Sequence, residues 1–424
     1  MTDTIFALSS GAPPAAIGVV RISGPMAGDT LAALAGSLTP PRRAAFRRLH
    51  DRTGAVLDET LVLWLPGPGT ATGEDTVELH CHGGRAVIAA VEVALAALGL
   101  RRAEPGEFTR RAFANGRIDL AEAEGLADLL SAETELQRRS ALAMAGGSFS
   151  REVEGWRERV LTASAAVEAV LDFADEDDVA VLPEDFAARL EALGGEIGDW
   201  LARPRAEALR EGFRVVLAGP PNAGKSTLFN ALVESEAAIT APIAGTTRDV
   251  LTRPVAIAGV PFLFVDTAGL REEAGDAIEA IGVERARGEL DQADLVLWLG
   301  DEAEGPDGAW EIEPQSDRTD HAAKLAPRHR VSALTGEGVD ALRGDLVGTA
   351  RDRLPKPGEA ALNRRQHALL AQARAGLADA QSSRDPLIVA ENLRLVRVAF
   401  DALIGRATTE DMLDALFGRF CIGK

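Results

Sequence analysis

The sequence predicts a multidomain protein that combines α/β and all-helical parts. At 424 residues the chain is too long for one ordinary hydrophobic core. Its apolar residues form strand-length runs at the start and helical repeats later, and a central stretch alternates between the two patterns. We therefore expect an N-terminal α+β domain, a discontinuous α-helical domain, and an inserted domain with a mostly parallel, doubly wound sheet.

Short apolar runs separated by turns occupy the first 115 or so residues. The runs at 16–23, 61–65 and 76–81 predict β-strands. Glycines at 67, 69 and 73 indicate a loop between the last two strands. This pattern predicts an α+β domain over residues 1–116.

Helical periodicity flanks the central stretch on both sides. It covers residues 117–211, and it returns within residues 349–424, where two or three helices follow the turn Leu354-Pro-Lys-Pro-Gly358. We expect these helices to pack into one bundle, with the domain at 212–348 inserted between them. Two separate helical pieces are the alternative.

A P-loop pattern opens the central domain. The segment Gly219-Pro-Pro-Asn-Ala-Gly-Lys-Ser226 follows a predicted strand at 215–218 and precedes a predicted helix. Its backbone amides are expected to surround the β-phosphate of a nucleotide. Lys225, one of only four lysines in the chain, would reach the β- and γ-phosphates, and Ser226 would bind Mg²⁺. An ordinary strand–helix turn is the alternative.

Two further motifs support a nucleoside triphosphatase. Asp266-Thr-Ala-Gly269 follows a predicted strand, so that its carboxylate can hold Mg²⁺ through water and Gly269 can donate its backbone N–H to the γ-phosphate. Between it and the P-loop lies Gly245-Thr-Thr-Arg-Asp249, where a threonine can complete the Mg²⁺ shell. Each motif alone is weak evidence for a nucleoside triphosphatase, but the order and spacing of the motifs are typical of this enzyme class.

Selection of guanine is indicated by an altered motif. GTPases usually carry Asn-Lys-x-Asp after the next strand, and here Pro314-Gln-Ser-Asp317 retains only the aspartate. A carboxylate accepts the two guanine N–H groups, so Asp317 favours GTP over ATP. Ser332 and Ala333 fit the loop that meets guanine O6. In an alternative register Asp320 reads the base.

The residue after Asp-Thr-Ala-Gly is Leu270, which cannot orient water as the glutamine of Ras-like proteins does. Glu279 is the best downstream carboxylate for that task, and a solvated acid at a helix start is the alternative. Asn222 can ligate a cation through its side-chain oxygen, or it can simply form the turn.

The charge and the cysteines limit the location and the partners. A formal charge of −20 disfavours broad binding to nucleic acids, so any RNA contact must be local or shared with a partner. No apolar run is long enough to cross a bilayer, and no secretory signal is evident. The two cysteines are far apart in sequence and are expected to be reduced. We expect a cytoplasmic protein with no membrane partner.

Motifs along nearly the whole chain resemble the family of tRNA-modification GTPases called MnmE or TrmE. These motifs are Gly18-Val-Val-Arg-Ile-Ser-Gly24, Thr72-Gly-Glu-Asp-Thr-Val-Glu-Leu-His80, Pro105-Gly-Glu-Phe-Thr-Arg110, Asn115-Gly-Arg-Ile-Asp-Leu120 and the terminal Phe420-Cys-Ile-Gly-Lys424. The terminal pentapeptide is highly specific to the family.

The resemblance implies an N-terminal domain that dimerises and binds a tetrahydrofolate derivative, either the 5,10-methylene or the 5-formyl form. It also implies a Ras-like G domain inserted in the helical domain. Together with the flavin-dependent protein MnmG, also called GidA, such a homodimer modifies carbon 5 of the wobble uridine in certain tRNAs. The folate contacts implied are Arg21, Glu78, Arg117 and Lys424.

Arg21 and Glu78 can instead form an ordinary ion pair, and Arg117 stands where family members often carry lysine. Cys421 matches a cysteine for which the family is noted, and it is either a reactive thiol or a small buried residue. The motif His80-Cys-His82 has too few companions for a metal site, because alternate strand residues face opposite sides. The acidic run 175–178 lacks the spacing of a Ca²⁺ loop.

The resemblance also implies a G domain that is activated by K⁺. The motifs and the resemblance together predict these GTP contacts: Asn222, Ala223, Gly224, Lys225, Ser226, Thr227, Ala241, Ile243, Gly245, Thr246, Thr247, Asp266, Thr267, Ala268, Gly269, Asp317, Ser332 and Ala333. Among them, Ser226 and Thr247 match the Mg²⁺ ligands. The K⁺ ligands implied are Asn222, Ala241, Ile243 and Thr246.

The catalytic residues predicted are Glu279, Lys225 and Cys421, and Arg248 is a rival to K⁺ as the source of positive charge. Two other functions remain open from the sequence. One is a ribosome-assembly GTPase acting as an RNA-binding switch, although the acidic chain lacks a basic appendage. The other is a folate-binding module whose G domain has lost activity.

Overall fold

A computed structural model describes residues 3–172, 182–233, 251–266, 288–318, 323–407, 409–418 and 420–423. The chain divides into two compact units. The first comprises residues 1–127 and 400–424, and the second comprises residues 128–399. Within the described residues no helix has both the length and the apolar character needed to cross a membrane.

The N-terminal part of the first unit is a six-stranded sheet with helices. Its elements are β1 (Ile5–Leu8), β2 (Ile17–Ser23), α1 (Ala27–Ala35), β3 (Ala44–His50), β4 (Val56–Leu65), β5 (Thr76–His82), α2 (Arg85–Ala97), β6 (Arg101–Arg102), α3 (Glu107–Ala114) and α4 (Leu120–Leu130). The strand order is β3-β4-β5-β2-β1-β6. All pairs are antiparallel except β1 with β6.

Strand alternation divides the side chains of this sheet between two faces. Val20, Ile22 and Leu79 are fully buried in a core to which α1 and α2 also contribute. Arg21 and Glu78 are directly opposed in the register of β2 and β5 and lie on the other face. The three strands predicted here are confirmed. Three were missed: β1, the two-residue strand β6, and β3, whose three charged or polar residues do not look like a half-buried strand.

The second unit contains a parallel sheet between helical segments. Its elements are α5 (Glu135–Ala145), α6 (Ser148–Asp172), α7 (Phe186–Leu201), α8 (Ala206–Glu211), β7 (Phe213–Ala218), α9 (Lys225–Val233), β8 (Leu251–Ile257), β9 (Val260–Asp266), β10 (Leu295–Trp298), β11 (Trp310–Glu313), β12 (His329–Arg330), α10 (Val339–Arg353), α11 (Arg364–Ser382) and α12 (Pro386–Leu403).

The sheet of the second unit has the order β12-β11-β10-β7-β9-β8. Every neighbouring pair is parallel except β8 with β9. This confirms the predicted fold class, with a mostly parallel doubly wound sheet inserted in a helical protein. The antiparallel edge strand β8 was missed because it contains Pro254, which argues against a central strand but is tolerated at a sheet edge.

Helices from both sides of the sheet segment meet in the second unit. α7, which precedes the sheet, packs against α11, which follows it. Phe149, Trp156 and Trp200 form an aromatic cluster between α6 and α7, with ring centroids 5.1–6.4 Å apart. The domain limits at residues 116, 211 and 348 stay predictions.

The C-terminal segment returns to the first unit. Its helix α13 (Glu410–Phe417) packs against α3, and the rings of Phe113 and Phe417 are 6.1 Å apart. Gly106 is left-handed (φ +69°), and a Cβ atom there would lie 2.2 Å from the carbonyl oxygen of Phe417. Beyond α13, Ile422 forms a β-bridge with Pro105, and Ser9 donates its hydroxyl to the Gly423 carbonyl at 2.8 Å. The terminal segment is thus fixed to the N-terminal sheet domain.

A fully buried arginine ties together the start of the chain, a loop and α3. Arg111 is 0% exposed, and its guanidinium donates to carboxylates of Asp3 at 2.8 Å, Glu74 at 3.0 Å and Glu107 at 3.1 Å. Burial alone would raise the pKa of Glu107, but hydrogen bonds from Arg101, the Glu104 amide and Arg111 lower that pKa below its ordinary value. The charges compensate one another, so that removing one leaves the others uncompensated.

We expect Arg111→Met to destabilise the first unit by about 3–5 kcal/mol, because it strands buried carboxylates. Arg102→Met is the matched control, since Arg102 pairs with Glu92 while remaining 63% exposed. Arg102→Met should lower the free energy of unfolding by less than about 1 kcal/mol. Hydrogen exchange of the β1 and α3 amides in increasing urea measures both.

The pH dependence gives a second readout of the same cluster. A carboxylate whose pKa is lowered on folding stabilises the fold above its ordinary pKa of 4.5, and this stabilisation is lost as the pH falls through the lowered value. The difference in free energy of unfolding between Arg111→Met and the unmodified chain should therefore become smaller at acid pH. Equal stability of the two at neutral pH would contradict the role given to Arg111.

Candidate functional site

The P-loop connects the central strand β7 to the helix α9. It spans residues 219–224, and two of its glycines adopt backbone angles that L side chains rarely take, with φ +148° at Gly219 and +86° at Gly224. Asn222 is also left-handed, at φ +64°, a conformation that asparagine tolerates better than most residues. The interpretation of Asn222 as a turn-forming residue is therefore confirmed, and its role as a cation ligand stays a prediction.

Lys225 is the first residue of α9, and its ammonium is folded back over the loop. Its Nζ donates to the carbonyl oxygens of Gly219 at 3.0 Å and Pro220 at 2.7 Å, and the residue is only 5% exposed. A buried ammonium must be compensated by acceptors. The charge is thereby held at the mouth of the β7–α9 turn, next to the loop amides that are expected to bind phosphate.

The two predicted Mg²⁺ residues that the structure describes lie in contact. Ser226 donates its hydroxyl to the Oδ2 atom of Asp266 at 2.6 Å. Asp266 is fully buried at the end of β9, where it is paired in register with Leu217 of the neighbouring parallel strand. A hydroxyl and a carboxylate are oxygen donors of the kind that Mg²⁺ prefers. The pair therefore fits a Mg²⁺ ion bound beside the P-loop.

A cavity of about 210 Å³ adjoins the P-loop on its α9 side. Its lining combines the start of α9 with the loops after β11 and β12: Gly224, Thr227, Leu228, Pro314, Gln315, Asp317, Arg318, Val331, Ala333 and Leu334. The predicted base readers Asp317 and Ala333 thus share one cavity with Thr227. Ser332 is fully buried behind it, and its hydroxyl accepts from the Thr335 amide at 3.1 Å. The alternative reader Asp320 lies outside the described residues.

Gln315 links the base-side loop to the P-loop. It is left-handed at φ +56°, and its side-chain amide donates to the Asn222 carbonyl over 3.5 Å. The same nitrogen lies 3.3 Å from the position where a Cβ atom of Gly224 would be. The residue that stands in place of the usual lysine therefore still contacts the P-loop, through a neutral amide. The sequence showed this substitution as a departure and gave no sign of the contact.

Many predicted site residues fall outside the described part of the chain, so their roles stay predictions. They are Ala241, Ile243, Gly245, Thr246, Thr247, Arg248, Thr267, Ala268, Gly269, Leu270, Glu279 and Lys424.

In the first unit, the structure brings Arg21 and Glu78 together. Arg21 donates to the Glu78 Oε1 atom through Nε at 3.1 Å and through a terminal nitrogen at 2.9 Å, so the ion-pair interpretation is met in this structure. His80 Nε2 lies 3.4 Å from the other Glu78 oxygen, and the Arg21 guanidinium lies 5.8 Å from the centre of the Phe108 ring. His80 and Phe108 were not assigned to this site from the sequence, although strand periodicity places His80 beside Glu78.

The other folate candidates lie at the edges of this region. Arg117 is exposed, and its side-chain stem packs beside Gly73, 3.2 Å from the position of a Cβ atom there. Cys421 is also exposed, so of the two alternatives for this residue the small buried one is wrong, and its role as a reactive thiol stays a prediction.

Cys81 lies in the core, and burial raises its thiol pKa to about 11. His80 and Cys81 point to opposite faces, as the alternation predicted. The described residues contain no group of three or more metal-binding side chains.

Comparisons with known proteins identify relatives along the full chain. The family model "GTP-binding protein TrmE N-terminus" matches residues 4–117, and "MnmE helical domain" matches residues 120–421. The tRNA modification GTPase MnmE of Erythrobacter litoralis is 67% identical over 423 residues, covering 100% of both chains. The protein of the same name from Novosphingobium aromaticivorans is 64% identical over 437 residues, again covering 100% of both.

The contact between Gln315 and the P-loop can be tested by mutation. We expect Gln315→Ala to weaken binding of guanine nucleotide roughly fivefold, because one hydrogen bond that orders the cavity is lost. Gln315→Lys should bind at least as tightly as the unmodified chain, since an ammonium forms a stronger bond to the same carbonyl. Titration with a fluorescent GDP analogue measures both affinities.

Asp340→Asn is the control for these variants, because Asp340 is exposed on α10 and does not line the cavity. If Gln315→Ala bound nucleotide as tightly as Asp340→Asn, the contact would have no role in ordering the cavity.

Proposed function

The chain belongs to the MnmE family, and from this premise we propose that it is a tRNA-modification GTPase that binds and hydrolyses GTP at the β7–α9 turn. The observation that carries the proposal is the buried Lys225 ammonium beside the Ser226–Asp266 pair. A cationic group and two oxygen donors converge where a helix N-terminus and a glycine-rich loop present amides. This combination suits a triphosphate with its metal.

The residues of this chain have distinct tasks in the proposed reaction. Lys225 exchanges its two carbonyl acceptors for phosphate oxygens and stabilises the charge that develops on them. Ser226 and Asp266, with Thr247, would hold Mg²⁺, which would neutralise negative charge on the β- and γ-phosphates. Asp317 accepts the two N–H groups that distinguish guanine from adenine, and this carboxylate carries the selection that the altered motif retains.

Hydrolysis also needs an oriented water and compensation for the charge between the β- and γ-phosphates. In this proposal Glu279 orients the water, since Leu270 cannot. The Asn222 side chain and oxygens of Ala241, Ile243 and Thr246 would hold a K⁺ ion, which would supply positive charge there.

We propose that the first unit binds a tetrahydrofolate one-carbon derivative against Arg21 and Glu78. A carboxylate has about four lone-pair positions, and the two bonds from Arg21 and the contact with His80 occupy three of those of Glu78, so the paired N–H groups of a pterin would replace at least one of these contacts. Arg117 and Lys424 would bind the carboxylates of the folate tail. Cys421, fixed near Pro105 by the Ile422 bridge and exposed, is the proposed reactive thiol.

The remaining parts of the proposal concern partners. We propose that the chain forms a homodimer and acts with the flavin-dependent MnmG in the cytoplasm, on carbon 5 of the wobble uridine. The relatives from Erythrobacter litoralis and Novosphingobium aromaticivorans, both tRNA modification GTPases, support the tRNA-modification role. The domain limits and the remaining GTP contacts predicted from the sequence belong to the same proposal.

GTP hydrolysis in KCl against NaCl tests the nucleotide site. We expect turnover that K⁺ stimulates, and a loss of roughly a hundredfold or more in Lys225→Ala, because the charge-assisted contacts to phosphate are removed. Lys356→Ala is the control, since Lys356 is an exposed lysine outside the site. Unchanged turnover in Lys225→Ala would mean that the activity arises elsewhere.

Binding of 5-formyl-tetrahydrofolate tests the site in the first unit. Glu78→Gln replaces one acceptor oxygen by a donor, so we expect its affinity to fall roughly tenfold or more. The control Glu59→Gln alters an exposed glutamate on β4 that pairs with Arg48. Calorimetry that gave equal affinities for both variants would remove Glu78 from the folate site, while GTP hydrolysis should be the same in both.

A further inference from the structure

A basic segment lies at the edge of the first sheet in an otherwise acidic chain. Residues 42–52, which we call the basic edge, contain five arginines and one aspartate, whereas the whole chain carries a formal charge of −20. The arginines are Arg42, Arg43, Arg47, Arg48 and Arg52. Such a local reversal of sign attracts an anion to one place without making the whole surface attractive to it.

The strand β3 forms the centre of the basic edge and is the last strand of its sheet. It pairs with β4 on one side, and no described strand pairs with its other side. Seven residues of strand extend over about 23 Å. The arginines therefore follow a line long enough to contact several phosphates of a nucleic-acid strand.

Of the arginines of the basic edge, only Arg48 pairs with a carboxylate among the described residues, that of Glu59, and Arg42 donates to the carbonyl oxygens of Pro66 and Gly69. Arg43 and Arg52 are exposed, and Arg47 donates only to the carbonyl of Phe46, at 2.9 Å. Other arginines of the same unit are neutralised by carboxylates, as with Arg101 and Arg102. Guanidinium groups without an internal partner remain available to phosphate, which they bind with two parallel hydrogen bonds.

An exposed aromatic ring lies between the arginines. Phe46 is 62% exposed and stands opposite Leu61 in the register of β3 and β4. Phe46 and Arg48 lie on the sheet face opposite the buried Leu49, whereas Arg47 lies on the Leu49 side, so the basic edge presents groups from both faces of its strand. Aromatic rings beside arginines are the usual platform on which unpaired bases stack.

We propose that the basic edge is an RNA-binding surface, on which Arg43, Arg47 and Arg52 bind phosphates and Phe46 stacks on an unpaired base. The proposal rests on the proposed function in one respect, because the RNA would be the tRNA that is modified. A second copy of the chain fits this edge less well. Pairing of β3 with β3 about a twofold axis at its centre would place arginines against arginines, which is unfavourable.

Anisotropy of a labelled, unmodified tRNA transcript with the full-length chain tests the proposal between about 50 and 300 mM salt. The triple variant Arg43→Gln, Arg47→Gln, Arg52→Gln should bind tRNA roughly tenfold to a hundredfold more weakly near 100 mM salt. The slope of its log binding constant against log salt concentration should be smaller in magnitude by about two. The control variant Arg151→Gln, Arg189→Gln, Arg384→Gln removes the same charge from exposed positions of the second unit and should change neither quantity.

Variants of Phe46 separate stacking from charge. Phe46→Leu should weaken binding roughly tenfold with an unchanged salt slope, and Phe46→Tyr should restore it, because tyrosine keeps the ring. If Phe46→Leu and Phe46→Tyr bound tRNA with the same affinity, stacking on this ring would be excluded.

Three outcomes overturn the proposal: no tRNA binding by the unmodified chain at 50 mM salt, equal weakening in the triple and control variants, or a triple variant whose light scattering shows altered self-association with unchanged RNA affinity. K⁺-stimulated GTP hydrolysis should be the same in all these variants. Hydrolysis without RNA binding would reject the basic edge alone, and RNA binding without hydrolysis would reject the GTPase proposal alone.

Discussion

The nucleotide site depends on one buried ammonium group. Lys225 is 5% exposed and is held by two carbonyl oxygens of its own loop. Phosphate oxygens carry more negative charge than carbonyl oxygens, so they can replace these two acceptors when a nucleotide binds. The left-handed glycines at either end of the loop, Gly219 and Gly224, make this geometry possible, and a side chain at either position would oppose it.

The parallel sheet brings the other groups to the same place. β7, β9 and β11 run in one direction, so that their carboxyl ends meet at one edge. Asp266 at the end of β9 therefore contacts Ser226 after β7, and the loop after β11 brings Gln315 against the P-loop. Residues that are 40 or more positions apart thus form one site. In the first unit an antiparallel register achieves a similar result for Arg21 and Glu78.

The sequence predicted the parts of this arrangement that depend on local chemistry. The P-loop is a contiguous pattern in which each residue has a physical reason, and Asp266 follows a recognisable buried strand. Contacts between distant segments could not be predicted in the same way. The link from Gln315 to Asn222 and the three carboxylates around Arg111 depend on the complete fold. Edge strands were missed because β3 contains two arginines and a histidine and β8 contains proline, features that argue against a buried central strand and are more easily accommodated at a sheet edge.

The most direct measurement is a crystal structure of the full chain with a non-hydrolysable GTP analogue and Mg²⁺. The account predicts that Lys225 Nζ leaves the Gly219 and Pro220 carbonyls for β- and γ-phosphate oxygens, that the Ser226 hydroxyl binds the metal, and that Asp317 contacts the base. A nucleotide bound elsewhere, or a P-loop in which Lys225 keeps its two carbonyl partners at saturating nucleotide, would contradict it.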